Sequence, residues 1–367
     1  MSEAGIGSRR RWLAGAAGVS AVGAAAALSL ARGLRRRGRV EDPHRDENFD
    51  LLDVDRSAVV TTPDGVDLAV REVGPPDAPL TVVFAHGFCL NMGAFHFQRA
   101  RLGRELGANV RMVFYDQRGH GRSGQAPPDT YTVEQLGRDL ETVLTVCAPR
   151  GPVVLVGHSM GGMTVLSHAR QYPHRYPSRV VGAAVLASAA EGVTRSPIGE
   201  ILRNPALETV RFLARYAPRA VHRTRGAAKS VIAPILRAAS YGDENTSPSV
   251  VAFSAQMMHD TPIPTLVEFL HALEVHDETE GLTTLAKVPT LIACGDRDLL
   301  TPLSYSREMA AALPDCEFVV VGGAGHLVQL ERPEIINDAL VRLVRRATPS
   351  RFDAFTRRVR ERVNRHG

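Results

Sequence analysis

The chain has 367 residues, 44% of them hydrophobic and 23% charged, which suits a folded protein with a large core and excludes a disordered or fibrous one. Its net charge of +5 is uneven, because residues 1–40 carry eight Arg against one Glu, residues 345–367 carry eight Arg against one Asp and one Glu, and the stretch between them is acidic. With 5% aromatic residues and no nucleic-acid-binding motif, the basic ends suit an anionic membrane surface rather than nucleic acid, with solubilising tails as the bland reading.

Residues 1–40 read as a basic and apolar segment. Trp12 to Ala31 is uncharged and about the length that spans a bilayer, although it is mostly Ala, Gly, Val and Leu. Ser8-Arg9-Arg10-Arg11-Trp12-Leu13 in front resembles a twin-arginine export signal, and Ser29-Leu30-Ala31 offers a small-residue cleavage site. Arg32, Arg35, Arg36, Arg37 and Arg39 follow at once and favour a retained anchor with that flank in the cytoplasm. The expectation is membrane association through residues 12–31, with export as the alternative. Residues 41–56 are charged and contain Pro43, and they read as a linker.

From residue 57 the pattern changes. Ala58 to Thr62 and Val66 to Val70 flank Pro63-Asp64-Gly65 and predict a hairpin. Continuous apolar runs then alternate with helical stretches. Strands are predicted at Thr81 to Ala85, Val110 to Tyr115, Val153 to Val156, Val180 to Ala187, Val288 to Cys294 and Cys316 to Val321. Helices are predicted after Ser159, Pro302 and Pro333. This is the signature of a mostly parallel sheet covered on both faces.

The run Val153 to Val156 feeds Gly157-His158-Ser159-Met160-Gly161. A G-x-S-x-G turn at a strand end is sharp enough to strain its serine and expose the hydroxyl. Serine is a weak nucleophile at neutral pH, so it needs an imidazole base and a carboxylate that orients the imidazole. His326 ends the Gly-rich turn Gly322-Gly323-Ala324-Gly325, and Asp298 ends Gly295-Asp296-Arg297, each just past a predicted strand. Asp296 is the local competitor as the acid and Glu191 a more distant one. Acyl transfer also needs N–H donors aimed at the developing oxyanion. Met160, following the nucleophile, supplies one, and Phe88 in His86-Gly87-Phe88 supplies the second.

The alternation breaks over 189–287, which reads as a helical cap. Its first half is basic, with Leu202, Leu207, Val210, Leu213 and Val221 on an amphipathic pattern, and its second half is acidic. Phe253, Met257, Met258, Phe269 and Leu270 in the second half are the expected pocket lining, an apolar surface suited to an acyl or alkyl group. Residues 288–347 complete the sheet. In 348–367, Phe352, Phe355, Val359 and Val363 recur at helical spacing among arginines, as in a basic helix that lies on a membrane or packs on its own globule. Cys89, Cys147, Cys294 and Cys316 lack metal-ligand spacing and read as free thiols.

Taken together these motifs resemble the α/β-hydrolase family over about residues 57–347. His86-Gly87-Phe88 is similar to its oxyanion loop, Gly157 to Gly162 to its nucleophile elbow, and Gly295 to Asp298 and Gly325-His326 to its acid and histidine loops. Asp116-Gln117-Arg118-Gly119-His120-Gly121-Arg122-Ser123 looks like its D-x-R-G-x-G-x-S loop, in which Asp116, Arg118 and Ser123 shape the turn. The resemblance implies a core in two parts, 57–188 and 288–347, with the cap between them. It also implies a serine hydrolase needing neither metal nor organic cofactor. Relatives that open epoxides or remove halide carry aspartate where Ser159 stands. The expected substrate is a carboxylic ester, apolar or lipid-like. The alternatives are a cofactor-free haloperoxidase or perhydrolase with the same three residues, and a non-catalytic ligand-binding protein.

Overall fold

A computed structural model of the chain describes residues 41–193, 239–243, 246–313 and 315–348. The apolar stretch 12–31 and its arginine flanks, the basic half of the cap with Leu202 to Val221, and the tail helix at 352–363 lie outside the described residues. The chain divides into two units, 1–43 and 44–367, and every element below belongs to the second.

Eight strands form one sheet: β1 Arg56–Thr61, β2 Asp67–Val73, β3 Leu80–Ala85, β4 Val110–Tyr115, β5 Val153–His158, β6 Val180–Leu186, β7 Thr290–Gly295 and β8 Glu317–Val321. Their order is β1-β2-β4-β3-β5-β6-β7-β8. β1 and β2 pair antiparallel as the expected hairpin, β2 meets β4 antiparallel, and the remaining strands are parallel. All residues of β3, β5 and β7 are buried, because helices cover both faces, whereas edge strand β8 alternates.

The two faces build separate cores from alternate residues of each strand. On β3, Val83 and Ala85 pack with Leu140 and Val143 of helix α2 (Val133–Cys147). Val82 and Phe84 turn the other way, toward Leu102 of α1 (His96–Leu106) and Leu340 and Leu343 of α9 (Pro333–Ala347). Burying such side chains stabilises the fold by about 1.5–3 kcal/mol each. Helix α3 (Met160–Gln171) follows β5 on the α2 side.

Connectivity positions the site. The chain leaves β3 through α1 to reach β4 on one side, then passes through α2 and crosses β3 to reach β5 on the other. The carboxyl ends of β3 and β5 therefore flank a switch point, where open α/β sheets leave a crevice.

The described part of the cap comprises α4 (Pro248–Asp260), α5 (Ile263–Val275) and α6 (Glu280–Leu285), the last packed on α3. Helices α7 (Leu303–Ala311) and α8 (Val328–Glu331) follow β7 and β8. Residues 44–55, read above as linker, are seated on this core. Phe49 stacks on Phe253 with ring centroids 4.4 Å apart, Leu52 is buried, and Asp55 accepts from Arg99 Nε at 2.9 Å. The four cysteines are free, and Cys89, Cys147 and Cys294 are buried. Among the described residues no helix is long and apolar enough to cross a membrane.

Candidate active site

Ser159 stands between β5 and α3 with φ 53° and ψ −119°, in the left-handed region that a side chain adopts only under constraint. The constraint is local. Its N–H donates to the Leu186 carbonyl at 2.8 Å, and its carbonyl accepts from Gly162 N–H at 2.8 Å and Ser188 Oγ at 2.7 Å.

Asp298 and His326 arrive on the loops after β7 and β8. His326 Nδ1–H donates to Asp298 Oδ2 at 2.9 Å, and both residues are buried. The carboxylate is pinned elsewhere too. Oδ1 accepts the N–H groups of Leu300 and Thr301 at 2.8 and 2.9 Å, and Oδ2 accepts Thr301 Oγ1 at 2.9 Å. With Nδ1 protonated and held, Nε2 is the basic nitrogen. Asp296 is exposed and instead accepts from Gly323 N–H at 2.8 Å, bracing the turn that leads to His326. Glu191 is exposed and bridges Asp277 through its backbone.

Ser159 and His326 line one cavity of about 60 Å³. No hydrogen bond joins the Ser159 hydroxyl to the ring in this structure, and such contacts often tighten only around substrate.

On the oxyanion loop, His86 Nδ1–H donates to the Gly87 carbonyl at 2.8 Å, and His86 Nε2 accepts the Gln117 N–H at 2.9 Å. Holding Gly87 C=O on one side of a trans peptide aims the Phe88 N–H to the other. The next two N–H groups are taken: Cys89 donates to His120 Nε2 at 3.2 Å and Leu90 to Gly87 O at 3.2 Å. Phe88 N–H is thus the donor this loop has to offer. Met160 N–H, at the first position of α3, lacks an intrahelical partner by geometry and carries the positive end of the helix dipole.

The sequence model of the alpha/beta hydrolase family matches residues 82–339. The chain belongs to that family. It is 27% identical to a proline iminopeptidase of Pestalotiopsis fici, over 77% of this chain and 95% of that one. It is 27% identical to a monoacylglycerol lipase of Mycolicibacterium smegmatis, over 71% of this chain and 86% of that one. Among solved structures, a thermophilic esterase from Thermogutta terrifontis is similar at a TM-score of 0.64 and 28% identity, covering 80% of this chain and 100% of the esterase.

Of the five side chains expected to line this hydrolase's pocket, Met258 and Leu270 do so. Phe253 stacks on Phe49, and Phe269 is fully buried against Tyr131 and His120 at 5.1 and 5.4 Å, which makes it core. Met257 is buried in the same apolar cluster without reaching the cavity. One position along a helix separates wall residue Met258 from core residue Met257, and helical spacing alone does not say which neighbour faces Ser159. Leu90, Met163, Leu273 and Leu327 line the cavity and were not singled out in the sequence. Thr301 was also missed, although Asp-x-x-Thr is a turn spacing at which a hydroxyl reaches back to its carboxylate.

The loop Asp116 to Ser123 acts as a brace. Asp116 accepts the N–H groups of Met92 and Arg122 at 2.8 Å each. The fully buried Arg118 pairs with Asp139 at 2.6 Å and Asp64 at 2.9 Å. Cutting one partner from such a pair costs about 3–5 kcal/mol.

Three buried histidines in this region make the fold acid-sensitive. Burial opposes the imidazolium and holds His120 down to about 4, His158 down to about 3 and His86 well below its ordinary value. Between about pH 6.5 and 4 the unfolded chain binds these protons and the folded chain refuses them, so stability falls as pH falls. Burial raises Asp116 to about 6 and Glu331 to about 7, which acts with the opposite sign over part of the window. The three histidines outweigh the two carboxylates. We expect Tm to fall steadily from pH 7 to pH 4, with a loss of several kcal/mol. Thermal melts across that range check this, and a Tm unchanged at pH 4.5 would contradict it.

Proposed function

We propose that this protein is a serine hydrolase of carboxylic esters with an apolar acyl group. Ser159 attacks the ester carbonyl while His326 Nε2 takes its proton, and Asp298 orients the ring and stabilises its charged form. The N–H groups of Phe88 and Met160 receive the oxyanion. His326 returns the proton to the departing alcohol, and water, activated by the same ring, then releases the acid.

The observation that carries this reading is the shared cavity. A serine in a strained elbow and an imidazole whose other nitrogen is tied to a buried carboxylate line the same small space. Most of the wall is apolar, with Leu90, Met163, Met258, Leu270, Leu273 and Leu327, and His158, Ser240 and Thr301 are its other polar members. Such a wall suits an uncharged acyl chain better than the amino-terminal ammonium of a peptide. The likeness to a protein named monoacylglycerol lipase supports a lipid ester. Membrane attachment through residues 12–31 would bring the enzyme to such substrates, and this part of the proposal rests on sequence alone.

The test is labelling of the full chain with a fluorophosphonate, beside Ser159→Ala, followed by p-nitrophenyl esters of increasing chain length. Label on the wild type alone, with turnover rising from acetate toward longer acyl groups, is expected. Equal labelling of both proteins would remove Ser159 from its role. Peracid formation from acetate and peroxide without ester turnover would turn the reading toward a perhydrolase, and labelling without any turnover toward a ligand-binding protein.

Met258→Trp is expected to act on chain length. The larger ring fills part of the cavity, so kcat/KM for an octanoate ester should fall about tenfold relative to acetate. Equal loss on both esters would place Met258 outside the acyl wall.

A further inference from the structure

The backbone around His326 is tied down from three directions. His326 and Leu327 donate their N–H groups to the Ser240 carbonyl at 2.9 and 3.2 Å. The His326 carbonyl accepts His158 Nε2 at 2.9 Å. Gly325, one residue earlier, donates its N–H to Glu331 Oε1 at 2.9 Å, and Glu331 Oε2 accepts the Gly242 N–H at 3.0 Å. One carboxylate therefore joins the histidine loop to segment 239–243, which lies within the cap and precedes α4. The two backbones are in close contact, since a Cβ on Gly242 would stand 2.5 Å from Gly325 N.

Glu331 is 7% exposed. Among the described residues no cation sits directly on its carboxylate. Arg332 beside it bonds Asp243 Oδ2 at 3.1 Å and the Glu331 carbonyl at 2.9 Å. A buried charge without an ion pair is costly, and an apolar side chain would leave the buried Gly325 N–H and the partly buried Gly242 N–H without their acceptor. What the position supplies is a double acceptor that serves two donors on different segments.

We propose that Glu331 is a positioning residue for His326: it clamps the histidine loop to segment 239–243 and so keeps Nε2 aligned with Ser159. This rests on the roles given to Ser159 and His326 above. The charged and titratable groups around the clamp are Arg332 on its own helix end, Asp243 and Arg297 on segment 239–243 and its partner loop, and Asp298 and His326 across the histidine loop. Burial raises the carboxyl to about 7, with the Asp298 charge acting the same way and the two backbone N–H groups acting against it. A protonated carboxyl turns one oxygen into a donor, which no longer serves one of the two N–H groups. Glu331→Gln imitates that state at every pH.

The experiment compares kcat of wild type and Glu331→Gln on one p-nitrophenyl ester from pH 5.5 to pH 9. The variant is expected to lose about tenfold in kcat at pH 9 with little change in KM, and the ratio should shrink to under twofold at pH 5.5, where the wild type is itself protonated. A ratio that stays the same across the range, as a merely structural role would give, overturns the proposal. Ser159→Ala runs alongside. If it retains turnover, the reading of the site fails. If it is inactive while the ratio stays flat, the clamp alone fails. Should Glu331→Gln not fold, the amide resonances of Gly242 and Gly325 in the 15N-labelled wild type must titrate together with one midpoint near 7, and independent or absent titration overturns the clamp.

Discussion

His326→Ala is expected to lower kcat for ester turnover by about 10⁴ to 10⁶, with KM close to wild type. In the proposed mechanism the ring accepts the Ser159 proton, and among the described residues the other titratable side chains that line the cavity are His158 and the Cys89 thiol. His158 does not substitute for it. Its Nε2–H is committed to the His326 carbonyl, and burial keeps it neutral down to about pH 3. Because serine and imidazole act as a unit, Ser159→Ala/His326→Ala is expected to be no slower than either single variant. Multiplying losses would mean that the two residues work independently and would sink the mechanism. Asp298→Asn is expected to cost about 10⁴ for a related reason. Its remaining oxygen still serves the N–H groups of Leu300 and Thr301, so the loop holds. The new amide, however, faces His326 Nδ1 and Thr301 Oγ1. An N–H opposite Nδ1 favours the tautomer with the proton on Nε2, and a protonated Nε2 cannot accept from Ser159.

Gly161→Ala is expected to prevent accumulation of folded protein, or to cost at least about 3 kcal/mol where it folds. A Cβ at this position would stand 1.9 Å from the Ala85 carbonyl oxygen and 2.8 Å from that of His86. Both are backbone atoms at the end of β3, buried within the sheet, so no side chain can swing aside. The proposed oxyanion hole asks Met160 and Phe88 to present N–H groups to one oxygen, and that arrangement requires the elbow and the loop after β3 to approach this closely. Gly322→Ala is the matched control. Its Cβ would meet nothing within 4 Å, and its φ is not in the left-handed range, so the change should be within about 0.5 kcal/mol of neutral. Thermal or urea melts of the two variants decide the matter, and a Gly161→Ala melt equal to that of Gly322→Ala would show that the two loops are free to separate.

Much of the sheet was legible because buried parallel strands are continuous apolar runs. Val110–Tyr115 was read with its observed ends, and the strands before Ser159, Asp298 and His326 to within two residues. Helix α1 was not read individually, since its surface positions are rich in charge and its apolar stripe is sparse, and α2 was not read either, although Val133, Leu136, Leu140, Val143, Leu144 and Cys147 form a stripe along its whole length. Residues 44–55 read as linker because their composition is charged. Yet Phe49 finds Phe253 and Leu52 becomes buried, which are contacts with chain far away in sequence.

The amino-acid sequence by itself determined the architecture and the chain order of the candidate triad, because both follow from local rules: apolar runs make buried strands, and glycine-flanked turns end them. Only the tertiary structure decided which groups meet. It set Asp298 rather than Asp296 on the His326 ring, tied Cys89 N–H of the loop after β3 to His120, and turned Met258 to the cavity while sending Phe269 into the core. Each of these depends on the relative placement of segments tens to hundreds of residues apart, and a hydrogen bond is made or lost over about half an ångström.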